Sequence, residues 1–129
     1  MDDIRIAWLG GEHPFRLPLG RLRALQDNCN AGPEEIFKRI RDGSWRVDDL
    51  AETLRQGLMG AGMADKDAGP LVIGLMEKHP IADFKMTAYR VLHHALLGPE
   101  GDQVGKPGGV DPEAEGPGGS RASTEAEPS

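Results

Sequence analysis

One cysteine and four histidines are the side chains in this 129-residue sequence best suited to nucleophilic or metal chemistry. Cys29 would need a general base and an electropositive setting to act as a thiolate. It shares a helical stripe with Leu22 and Leu25 and reads instead as a small core residue. His93 and His94 are adjacent, so on a helix they point about 100° apart and do not easily share one metal. A site there would need ligands from another element. His13 stands beside a turn signal, and His79 at a helix end where a cation suits the dipole. Gly57, Gly60 and Gly62 spell GxxGxG, but they follow a helix, whereas a phosphate loop follows a strand and opens a helix. They read as closing that helix. No GxSxG, HExxH, CxxC or P-loop pattern occurs. The expectation is a non-enzymatic protein with no catalytic residue, cofactor or metal.

Residues that could bind a protein partner are more numerous. Met59, Met63, Met76 and Met86 could form an adaptable surface for an apolar helix, or fill irregular gaps in a core. Trp8 and Trp45 pose the same choice between partner anchor and core side chain.

Composition narrows the classes further. Of the 18 glycines and 10 prolines, seven and five lie in residues 99–129, which also hold seven acidic and two basic residues. Their apolar residues are only Val104, Val110, Ala114, Ala122 and Ala126, too little surface to offset the entropy of ordering the backbone. The chain therefore divides into a single folded domain, 1–98, and a disordered acidic tail, 99–129. No apolar run approaches the ~18 residues that span a bilayer, and Met1–Arg5 lacks the start of a secretory signal. A pI near 5.1 with no basic run argues against nucleic acid as a partner.

The elements that must position these residues follow from periodicity. Ile4, Ile6 and Trp8 alternate with Arg5 and Ala7 as a strand, and Gly10-Gly11 suits a hairpin turn. Phe15, Leu17 and Leu19 suggest the second strand, cut short by Pro14 and Pro18. Helices are expected from about Leu19 to Asn28, from Pro33 to an exit at Gly43, and along Val47, Leu50, Ala51, Leu54 and Leu58. Asp48, Asp49, Glu52, Arg55 and Gln56 face away from that third stripe. A fourth helix starts at Asp65 or Asp67, with Pro70 tolerated only in its first turn, and a last one runs from Ile81 to Leu97 before Gly98-Pro99. The fold class is α+β, mostly α: a hairpin packed on four to five helices.

In order and spacing, residues 4–98 resemble the gene transfer agent family of phage-type tail proteins. The resemblance rests on Leu17–Leu25, Ile36–Ile40 and Asp49–Gly62, most sharply on the L-x-x-G-L-x-G-A-G run from Leu54 to Gly62. Gln26 before Asp27 and the Gly69-Pro70 pair depart from the family pattern. The resemblance implies a tail assembly chaperone of alphaproteobacterial or prophage origin, encoded between the tail tube and tape measure genes. It would act in the host cytoplasm, bind the tape measure protein and the tail tube protein, and form a homo-oligomer in some settings. The segment from Gly57 to Met63 and the methionines then lie near the binding groove, with Trp45, Leu58, Met59, Met63 and Met76 as the partner-binding candidates. Two alternatives stand beside it: a structural, tube-associated subunit of the tail, and a small regulatory or adaptor domain.

Overall fold

The computed structural model describes residues 2–99, so the tail expected at 99–129 lies outside the described residues apart from Pro99. Strand β1 (Ile4–Trp8) pairs antiparallel with β2 (Gly11–Phe15), with Ile4 opposite Phe15 and Trp8 opposite Gly11. Five α-helices follow: α1 (Leu19–Cys29), α2 (Pro33–Asp42), α3 (Val47–Gly60), α4 (Asp65–Lys78) and α5 (Lys85–Leu97). A 3₁₀ turn at Ile81–Phe84 precedes α5. The fold is α+β and mostly α, with the hairpin laid on a helical bundle.

Helix α3 is the centre. It packs against α1, α4, α5 and β2, and α2 closes on α5 from the far side. Leu50, Leu54 and Leu58 of α3 meet Leu25 and Cys29 of α1, Ile36 and Ile40 of α2, and Ala88, Val91 and Leu92 of α5 in one core. Each fully buried leucine or isoleucine contributes about 1.5–3 kcal/mol from burial. Trp8 completes the core under the hairpin: its ring stands edge-on to Phe15 and Phe84, and its Nε1–H donates to His13 Nδ1 at 2.9 Å.

Four expectations are corrected. The second strand is Gly11–Phe15, because the turn is Leu9-Gly10 and the register it sets ends the ladder at Phe15. Leu17 is buried in the connection and Leu19 already begins α1, exposed. Asp49 and Gln56 do not face solvent; both are buried, held by side chains from other helices. Val47, assigned to the apolar stripe, is exposed at the start of α3. Pro70 lies in the second turn of α4, not the first, so α4 lacks the hydrogen bond that an N–H there would give to Lys66.

Candidate functional site

The glycine run is a packing device rather than a phosphate site. The extended chain after β2 crosses α3 so closely that Arg16 N–H donates to the Gly57 carbonyl at 2.9 Å, and Arg16 Nε to the Gly60 carbonyl at 3.3 Å. A Cβ on Gly60 would stand 1.9 Å from the Arg16 carbonyl oxygen. One on Gly57 would meet Val91 Cγ1 at 3.0 Å and Phe15 Cδ2 at 3.1 Å. Gly62 then takes φ +117°, a left-handed conformation open to glycine, and Met63 N–H returns to the Leu58 carbonyl at 3.0 Å. Sequence reasoning placed these glycines at the helix end but missed the close approach, which joins residues more than 40 positions apart.

The partner-binding candidates are not brought together on one surface. Leu58 is 1% exposed and Met76 9% exposed, both in the core. Trp45, Met59 and Met63 are half-buried and packed against it. Of the four methionines considered, Met86 is the exposed one, near the start of α5.

Most groups with chemical potential are held by structural partners; the buried Nδ1 atoms of His93 and His94 have none. Cys29 is buried, its Sγ–H directed at the Asp48 carbonyl at 3.5 Å. Burial, with the negative charges of Asp49 and Glu52, pushes its thiol up to about 12. Asp49 is 0% exposed; it accepts the Arg46 N–H at 2.8 Å at the start of α3 and pairs with Arg39 Nη1 at 3.3 Å. Glu52 joins three helices: Asn28 of α1 and Arg55 of α3 donate to it at 2.8 and 3.0 Å, and Arg55 reaches Asp65 of α4 at 2.8 Å. His94 is buried with Nε2 2.6 Å from the Asp2 carbonyl, which makes Nε2–H the donor. His93 leans on Phe37 and Tyr89. Among the described residues no three His, Cys, Asp or Glu side chains converge as a metal site, and no helix is long and apolar enough to cross a membrane.

Among the described residues a trough of about 320 Å³ lies open beside α2 and the end of α5. Phe37, Leu96 and Leu97 supply its apolar surface, and Glu34, Lys38 and Arg41 its charged rim. Phe37 stacks on Tyr89 of α5 at 5.1 Å, which fills the seam below. Leu97 is 64% exposed. The other exposed large apolar residues are scattered, Leu9 in the hairpin turn and Leu19, Val47 and Met86 at helix starts, while Ile73 lies on the outer face of α4. Single residues of that kind are ordinary on a protein surface. Leu97 differs because it continues into a concave apolar surface.

Comparison with known proteins gives a family and no closer relative. No curated protein and no solved structure matches the chain. Residues 2–98, the whole of the described domain but its last residue, match the family model described as phage tail tube protein, GTA-gp10. The chain belongs to this gene transfer agent family and is a phage-tail-related protein.

Proposed function

We propose that the domain is a non-enzymatic tail assembly chaperone that holds the tape measure protein during tail morphogenesis. One observation carries the reading: an apolar trough with a charged rim lies open beside α2 and α5, while Cys29 and Asp49 are engaged in structural contacts. A tape measure protein is a long helical chain whose apolar stripes stay exposed until tube subunits assemble around it. A small domain with an open apolar trough can shield such a stripe and release it as the tube grows. Binding of this kind needs no cofactor and no nucleophile, and the partners are the tape measure protein and, at hand-over, the tail tube protein. Co-expression tests it: the tape measure protein is expected to become more soluble and to co-purify with this chain, and the absence of both effects would refute the reading.

A second reading is favoured by the description of the matching family, which names the tube itself. A tube subunit would be found in purified particles in fixed proportion to the other tube proteins. A chaperone would be abundant in the assembling cell and depleted in the particle. Quantitative mass spectrometry of purified particles separates the two.

A further inference from the structure

We infer that the trough receives two turns of one amphipathic partner helix in a fixed direction, set by the order of charges along α2. The inference rests on the chaperone reading and adds the chemistry of the segment that is bound. Glu34, Phe37, Lys38 and Arg41 fall at i, i+3, i+4 and i+7, so all four lie on one face of α2 and line the trough. Their span is about 10 Å at 1.5 Å per residue, the length of two helical turns. Phe37 in the middle and Leu96 and Leu97 across from it form an apolar surface for two or three large side chains. The rim is not uniform: the acid stands at the start of α2 and both bases toward its end.

Of the surrounding groups, Asp42 offsets part of this positive charge and Lys85 adds to it. Arg41 Nε is bound to Asp42 at 2.9 Å, and both side chains remain about half exposed. Lys85 at the start of α5 lies in the electrostatic reach of Asp42, so the basic end of the trough has a third cation nearby. Phe37 contacts Tyr89 and His93 of α5, and Asp42 at the end of α2 lies toward Lys85 at the start of α5, which runs α2 antiparallel to α5. The complementary segment therefore carries leucine- or methionine-sized residues at helical spacing, carboxylates where it meets Lys38 and Arg41, and a basic residue where it meets Glu34. Reversed, the same helix would set like charges against each other at both ends.

The test uses the full chain and overlapping 20-residue peptides from the tape measure protein of the same gene cluster. The peptides that bind are expected to share the apolar–acidic pattern. K38E/R41E should weaken them at least tenfold, and exchanging the peptide carboxylates for lysines should restore binding to K38E/R41E but not to the unaltered chain. Leu97→Asp should weaken binding, and Ile73→Asp on α4 should leave it unchanged. Binding that survives both trough variants, or that fails to respond to the exchange, overturns the trough and leaves the chaperone reading standing. No binding by any segment or by the whole tape measure protein overturns both. If light scattering shows a dimer that Leu97→Asp dissociates, a second copy covers the trough and the inference fails.

Discussion

Two contacts of helices in this domain are built in opposite ways. Where the chain after β2 crosses α3, glycines at 57 and 60 let backbones approach until carbonyls are within hydrogen-bond distance of Arg16, and no space remains. Where α2 lies along α5, large side chains hold the helices apart: the Phe37–Tyr89 stack fills the seam, and Leu96 and Leu97 stay beside an open trough. The first contact spends its residues on rigidity and leaves none for a partner. The second leaves apolar surface uncovered at a stability cost the core can bear. The proposed binding surface thus lies where packing is left incomplete, away from the glycines that end α3.

The comparison predicts unequal responses to substitution. Gly60→Ala should have the largest effect, since a Cβ 1.9 Å from a backbone oxygen forces the Arg16 crossing away from α3. A loss of about 3 kcal/mol or more by urea unfolding is expected, at the top of the range for overpacking, against a total near 5–15 kcal/mol. Retention of full stability would show that the seam can open. Asp49→Ala should come next. It removes the carboxylate that receives Arg46 N–H and Arg39, at about 2–3 kcal/mol; a fully buried pair would cost more, but Arg39 is partly solvated. Asp49→Asn, which keeps an acceptor for the Arg46 N–H, should lose less.

Gly57→Ala is the finer probe. Contacts of 3.0 and 3.1 Å with Val91 and Phe15 are tight but involve side chains that can shift, and alanine gains helix propensity of up to about 1 kcal/mol. The net change should be within about 1 kcal/mol, far below Gly60→Ala, and equal losses at both positions would contradict the difference drawn between them. Cys29 gives a pH signature of the closed side. Its folded pKa is raised to about 12, so its contribution is complete below the unfolded value near 9 and is lost as pH rises through 9–12. Urea midpoints should fall across that window in the unaltered chain and fall less in Cys29→Ala. The native thiol should also resist iodoacetamide until the chain unfolds. Leu97→Asp should be the mildest in stability, within about 0.5 kcal/mol, because the residue is already largely in water.

Much of this fold is written locally. Pro33 opens α2 and Gly43 ends it, and β1 reads as alternation, because these signals act within a few residues. The errors arose where distant residues decide. Phe15, Leu17 and Leu19 alternate like a strand, yet pairing from the Leu9-Gly10 turn ends at Phe15. Asp49 looks like a solvent-facing helix residue until Arg39, on another helix, turns inward to meet it. The methionines, which the sequence left open between core and surface, are divided by the same long-range packing: Met76 is core, whereas Met59 and Met63 lie only half-buried at its edge. The trough was missed altogether, since it joins residues 34–41 to 96–97 and neither segment departs from an ordinary amphipathic pattern.

Hydrogen–deuterium exchange on the purified complex with the tape measure protein tests the central claim most directly. If the open trough is the binding surface, new protection falls on α2 and the last two turns of α5, and α3 and β2 exchange as they do in the free domain. Protection concentrated on α3 and α4, with α2 and the end of α5 unchanged, would contradict the account and return the binding site to the methionine-bearing face.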